Sequence, residues 1–189
     1  MLRLFQKILV ILAAFTFLVS IAILLAAWYL GAFAPVQVYS AERGPYLIVA
    51  VLEPDSPAHI QSQIDQVKSY LQQKGEPPVG PVGVYYRDPL SVTMDEVEAS
   101  AGWVVRDSVA VDTPFILITM EKQLFAIASI RINPALAPFK TYPALQTWME
   151  RSGYHHDQNH LVLELYHPND SMEVQVPITE IRYDSLSPY

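Results

Sequence analysis

The chain has 189 residues, 51% of them hydrophobic, with 12 Lys and Arg against 19 Asp and Glu and no cysteine. That length allows one ordinary domain plus an appendage. A net charge of −7 argues against nucleic-acid binding and against attraction to anionic headgroups, and the missing thiols exclude disulfides and cysteine-ligated metals.

The appendage comes first. Ile8 to Leu30 carries no charge and ends on Trp28 and Tyr29, a stretch long enough to cross a bilayer as a helix with aromatics at the interface. A cleaved signal peptide has a shorter apolar core. The small-residue site Ala32-Phe33-Ala34 is followed by Pro35, which is expected to block cleavage, so the segment reads as a retained anchor. Arg3 and Lys7 precede it and the next charges are Glu42 and Arg43, so the positive-inside rule predicts a single-pass membrane protein with a cytoplasmic N-terminus and an extracytoplasmic domain. Setting Arg3 and Lys7 aside leaves 10 basic against 19 acidic side chains. The expected division is 1–35, anchor and linker, and 36–189, the domain.

Val36 to Leu52 is extended, and its YLIVAVL portion is apolar throughout, as in a strand covered on both faces. A helix follows: Ser56 caps it, Pro57 suits its first turn, Ile60, Ile64, Val67 and Leu71 recur at helical spacing, and Gly75 ends it. PVGVYYRDP reads as a strand closed by Asp88-Pro89, and Val97 to Arg106 as another. After the polar connection 107–114, strands are expected at Phe115 to Met120 and Leu124 to Ile132. A helix then starts near Ala135 or Thr141, buries Leu145, Trp148 and Met149, and stops at Gly153. Tyr154 to Asn159 reads as a turn, LVLELY as a strand, and Met172 to Ile178 as the closing strand.

The order repeats. QQKGEPPVGPVGVYYRDP and MERSGYHHDQNHLVLELYHPND each run from helix end through a turn and a strand to a proline-containing turn. The expected fold is α+β: a transmembrane helix, then two tandem strand-helix-strand-strand modules, about 36–106 and 115–180, with antiparallel sheet and pseudo-twofold symmetry, and a short tail 181–189.

Within LVLELY, Leu161, Leu163 and Leu165 share one face while Val162, Glu164 and Tyr166 share the other. A carboxylate there needs solvent, a donor or a ligand in front of it; an outward glutamate on a half-wet sheet is the plain alternative. Aligning the two copies on Tyr85 and Tyr166 makes Gly83 equivalent to Glu164, so if the modules pack about a pseudo-twofold axis, a cleft between them would have a carboxylate on one wall and space over a glycine. Trp103, on a strand, is a candidate for either core or cleft, whereas Trp148 reads as core. His155, His156 and His160 with Asp157 lie in a turn and lack clear ligand spacing, so no metal and no cofactor is expected.

RGPY near the domain start, PVGVYYRDP, the helix ending W-x-x-x-S-G-Y, the E-x-Y of LVLELY and the terminal PIT together resemble the GyrI-like small-molecule-binding family. The resemblance covers roughly Val36 to Thr179. It implies two strand-helix-strand-strand modules around a cleft, with the acidic residue that meets cationic ligands falling on Glu164 and aromatic walls on Tyr166 and Tyr85. Arg87 stands where an acidic or amide residue is expected in that turn. No helix-turn-helix precedes the domain, so a transcription-factor role is not carried over. The family also holds hydrolases of cyclopropane-containing compounds, in which Glu164 and Tyr166 would be catalytic, and an anchored receptor of the endoplasmic reticulum. The latter keeps a tethering adaptor in play, through Tyr183-Asp184-Ser185-Leu186 in the tail. The leading expectation is an anchored protein that sequesters or senses aromatic or cationic amphiphiles, with Glu164, Tyr166, Tyr85, Gly83 and Trp103 as ligand-binding residues.

Overall fold

A computed structural model describes residues 2–29, 31–54, 56–86, 89 and 97–180 of the chain. Arg87, Asp88 and the Tyr183–Leu186 pattern lie outside the described residues. Two compact units divide at Pro35: Met1–Pro35 and Val36–Tyr189.

The first unit is the helix α1, Leu2–Tyr29. Its stretch Phe5–Tyr29 is long and apolar enough to cross a membrane, with a window of mean hydropathy 3.0, a property that signal sequences share. Its threonine and serine hydroxyls are satisfied inside the helix: Thr16 Oγ1 donates to Leu12 O and Ser20 Oγ to Thr16 O, both at 2.9 Å. In hydrocarbon that matters, because no water is there to take the hydrogen.

The second unit holds nine strands and two longer helices among the described residues. In chain order they are β1 (Gln37–Arg43), β2 (Tyr46–Val51), α2 (Ile60–Lys74), β3 (Gly80–Tyr85), β4 (Ala99–Val105), β5 (Phe115–Met120), β6 (Gln123–Arg131), α3 (Pro138–Ser152), β7 (Tyr154–His156), β8 (Val162–His167) and β9 (Ser171–Glu180). A 3₁₀ turn, Pro57–His59, leads into α2, with Ser56 Oγ accepting from Ala58 N. Both helices end where glycine permits a left-handed residue, at Gly75 (φ 75°) and Gly153 (φ 73°). α3 starts between the two expected points and carries Pro143 inside it. β7 replaces the expected turn after Gly153 and pairs with the end of β9, His155 lying opposite Thr179.

The sheet is antiparallel in the order β1-β6-β9-β8-β3-β4-β2-β5, with β7 paired to β9 off that path. That order forces the sheet to curl. β1 and β2 stand six positions apart, about 29 Å in a flat sheet at 4.8 Å per strand, yet only Gly44 and Pro45 join them, a reach of about 11 Å. The same holds for β5 and β6, joined by Glu121 and Lys122 alone. The two short links meet: a Cβ on Gly44 would lie 3.1 Å from Glu121 O and 3.3 Å from Lys122 Cα. Across the curl, the Tyr46 hydroxyl on β2 donates to Gln175 Oε1 on β9 at 3.0 Å.

Curling gives the sheet two different faces. The concave face closes on itself and buries Ile48, Val82, Val84, Phe125, Ile127 and Leu163. α2 lies over β2, β3 and β4 on the other face, where Val67 and Leu71 pack on Val49 and Val105, while α3 lies over β1, β6, β7 and β9. The register links Val49 to Trp103, Trp103 to Pro81, Gly83 to Glu164 and Glu164 to Val174, so all of these side chains share the helix-bearing face. Gly102 is required by close approach, since a Cβ there would stand 1.9 Å from Val49 O.

Candidate functional site

β3 and β8 form the middle of the sheet, and Glu164 is the third residue of β8. Strand alternation sends Leu163 and Leu165 into the concave core and turns Val162, Glu164 and Tyr166 toward the helices. Glu164 is nonetheless only 2% exposed. The plain alternative, an outward and solvated glutamate, therefore fails, and the need for a donor is met three times over. Tyr85 on β3 and Tyr166 on β8 each donate a hydroxyl to Oε2 at 2.8 Å, and Tyr142 on α3 donates to Oε1 at 2.9 Å.

Electrostatics at this cluster oppose one another. Burial pushes the Glu164 carboxyl above the ordinary glutamate range, and the three phenol hydrogen bonds pull it back without overcoming burial. The phenols of Tyr85, Tyr142 and Tyr166 are all pushed up, by burial first and then by the neighbouring carboxylate. Among the described residues no Lys, Arg or His contributes to the surroundings of this carboxyl. A buried acid held by neutral donors and no counter-ion can do one of two things when a cation arrives: stay protonated, or ionise against it.

Three of the expected residues come together here, Glu164, Tyr166 and Tyr85, with Gly83 directly across the ladder from Glu164. The space over Gly83 is filled rather than open. A Cβ at that position would lie 3.2 Å from the Tyr166 hydroxyl, 3.4 Å from Tyr85 Cε2 and 3.6 Å from Glu164 Cβ. Tyr85 and Tyr142 are buried whereas Tyr166 is half-buried, so Tyr166 forms the accessible side of the cluster. Trp103 lies on the same face but outside the cluster: it packs under α2, donates Nε1–H to Ile64 O at 2.8 Å, and has Lys68 Nζ 5.6 Å from its ring centroid. Trp148 is half-buried and stacks on Tyr154 with ring centroids 5.7 Å apart. The histidines of the β7 region have separate partners, His155 with Thr179 at 2.8 Å and His160 with Asp157 at 3.0 Å.

Tyr142 was not anticipated from sequence. Its signal is present nonetheless: Tyr142, Leu145 and Met149 recur at helical spacing and all three are buried. In the sequence, Thr141 and Pro143 beside it mark only a helix start and say nothing of the inner face. Gln63, on the buried side of α2, was also passed over; its Oε1 accepts from Ala101 N at 2.8 Å, just where the β2–β4 ladder has ended at Gly102.

A curled antiparallel sheet with both helices on one face and a phenol-bound carboxyl between them is the arrangement of an antiparallel α+β domain with its polar group held inward. Residues 42–181 match the GyrI-like small molecule binding domain, and the chain belongs to that family. Among solved structures, the chain is similar to EcmrR in complex with DNA, with TM-score 0.63 and 15% identity over 77% of this chain and 58% of that one. It spans 99% of the isolated EcmrR C-terminal domain, with 78% of its own length covered, TM-score 0.59 and 14% identity. SAV2435 bound to tetraphenylphosphonium is similar at TM-score 0.50 and 12% identity, over 76% of this chain and 94% of that one. No curated protein sequence matches.

Proposed function

We propose that the domain binds hydrophobic, aromatic cations, with Glu164 as charge partner, Tyr85, Tyr142 and Tyr166 as walls and Gly83 as the floor of a cleft between two duplicated modules. The observation that carries this reading is the buried Glu164 carboxyl with three phenol donors and no cation. A guest's charge supplies what the described residues lack, and its aromatic body replaces the ring that withdraws. Tyr166 is the ring that moves, because it is the least buried of the three and lies over Gly83. The strand order supports duplication: reading inward from either end, β1-β6-β9-β8 mirrors β5-β2-β4-β3, each leading strand pairing with the other module's first core strand.

In this reading α1 is an uncleaved single-pass anchor with its N-terminus in the cytoplasm, and the domain sequesters or senses amphiphilic cations at the outer membrane surface. The motivation is the uncharged apolar helix preceded by Arg3 and Lys7. Tetraphenylphosphonium, the ligand of SAV2435, is a suitable first probe. Calorimetric titration of this cation into the full chain in neutral detergent tests the reading: saturable binding that Glu164→Gln weakens supports it, and equal affinity for both proteins removes the carboxylate from the account. A hydrolytic role for the same carboxyl would replace this reading if a cyclopropane electrophile were turned over by wild type while Glu164→Gln bound it without turnover.

A further inference from the structure

The concave side of the sheet holds a second polar cluster, on the face opposite Glu164. Arg43 at the end of β1 pairs with Gln123 at the start of β6, so their side chains emerge together on the concave face, beside that of Tyr39 four residues earlier. Arg43 is poorly served there. Its Nη2 donates to the Tyr39 hydroxyl at 3.4 Å and its Nη1 to Glu42 O at 3.4 Å, both near the outer limit for a hydrogen bond. In a chain with 19 acidic residues, Arg43 has no carboxylate partner among the described residues. Glu42 points to the other face and pairs with Lys122 at 2.6 Å.

Gln123 reinforces the imbalance. Its Nε2 is buried and donates to nothing. A buried amide donor without an acceptor is uncommon in a folded protein and marks a place where an acceptor belongs. The Tyr39 hydroxyl accepts from Arg43 but donates no hydrogen bond among the described residues. Tyr46, on β2, is close enough to feel Arg43: burial pushes its hydroxyl up, and the guanidinium charge is one of the influences pulling against that. Glu173, the acid on this face, is already engaged by Gln175 Nε2 at 3.2 Å. What remains at this corner, where the Gly44–Pro45 and Glu121–Lys122 links meet, is a cation with two long hydrogen bonds and no carboxylate, beside two donors, the Gln123 amide and the Tyr39 hydroxyl, that have no acceptor among the described residues.

We propose that Arg43, Gln123 and Tyr39 form an oxyanion site, which accepts a carboxylate or phosphate group on the guanidinium fork, the Gln123 amide and the Tyr39 hydroxyl. The chemistry matches on each count: guanidinium binds carboxylate and phosphate with paired hydrogen bonds, and the amide and phenol add neutral donors to the same oxygens. The oxyanion belongs either to a free small molecule or to a lipid headgroup. The site is independent of the cation reading, since it uses the other face of the sheet and none of the same side chains.

The test uses the full chain in neutral detergent, labelled with ¹⁵N at glutamine and arginine side chains, with inorganic phosphate and hexanoate as probes and chloride at matched ionic strength as reference. The expected result is a saturable shift of the Gln123 amide and the Arg43 Nε–H that chloride does not reproduce. Arg43→Gln should weaken it at least about tenfold, as follows from the strength of charge-assisted hydrogen bonds. Gln123→Leu, read at Arg43, should weaken it less, and Glu164→Gln should leave it unchanged. Nanodiscs with and without phosphatidylglycerol separate the sources: a shift with no added anion, present only with the acidic lipid, assigns the headgroup. Shifts that grow linearly as with chloride, or an affinity that neither Arg43→Gln nor Gln123→Leu alters, overturn the proposal.

Discussion

Replacing Glu164 by glutamine removes one charge while keeping an acceptor for Tyr85 or Tyr166 and a group of nearly the same shape. A monovalent cation held about 5 Å from the carboxylate at an effective dielectric near 20 gains about 3 kcal/mol from that charge, roughly a hundredfold in affinity. Phenol faces contribute about 0.5–2 kcal/mol by cation–π contact and survive the substitution, so binding is expected to weaken without vanishing. The pH dependence is more specific. Because burial raises the folded carboxyl above its ordinary value of 4.5, the unliganded site holds a proton across the window from 4.5 upward to that raised value. A cation favours the ionised form, so affinity should climb with pH through this window by up to about tenfold per unit and then level off, with up to one proton released on binding. Titration calorimetry in buffers of different ionisation enthalpy reads that proton directly. The reasoning is refuted if the wild-type affinity is flat across this window, or if Glu164→Gln shows the same slope.

The same cluster and the two close-packed glycines set four other expectations. In the absence of guest, the raised Glu164 pKa means that at this site the folded state binds more protons than the unfolded chain, so the Glu164 contribution to stability is fully present below 4.5 and is lost as pH rises through the folded value; the stability difference between wild type and Glu164→Gln, from denaturation over a pH series, should fall accordingly. Tyr142→Phe removes the donor to Oε1 and should cost about 0.5–1.5 kcal/mol where the acid is protonated and about 1.5–3 kcal/mol where it is ionised, and move the pH dependence of cation binding upward. Gly83→Ala presses on the movable Tyr166 hydroxyl at 3.2 Å and should cost about 1 kcal/mol, at the mild end of overpacking. Gly102→Ala meets the Val49 carbonyl at 1.9 Å and should leave little folded protein, whereas Gly80→Ala meets nothing within 4 Å and should be near neutral, a contrast that thermal melts will show.

Local signals in the chain are stronger than long-range ones, and that divides what was legible from what was not. Gly75 and Gly153 mark both helix ends because a left-handed residue is a local steric demand. The alternation in LVLELY places Leu163 and Leu165 in the concave core and Glu164 on the opposite face for the same local reason. By contrast, that Gly83 lies directly across the ladder from Glu164 was not legible: aligning Tyr85 with Tyr166 only makes the two positions equivalent in the repeat, and in the ladder Tyr85 faces Val162. The extreme curl also depends on which strands pair across the whole chain, and the short Gly44–Pro45 and Glu121–Lys122 links reveal it only once that order is known. β7 escaped because three residues beside a histidine-rich turn carry no periodicity. Tyr142 escaped because its partner lies 22 residues away on another element, and a helix face does not announce which strand residue it meets. Trp103 is a related case: alternation placed it on the helix-bearing face, but only the packing of α2 decides that its indole is tied to Ile64.

The state of one carboxyl group decides the account. With the full chain labelled at glutamate Cδ and held at a pH inside the window where the unliganded site keeps its proton, the Glu164 resonance should sit at the protonated position and move to the carboxylate position as tetraphenylphosphonium saturates the protein. A resonance that stays where it began while the cation binds would place the guest elsewhere.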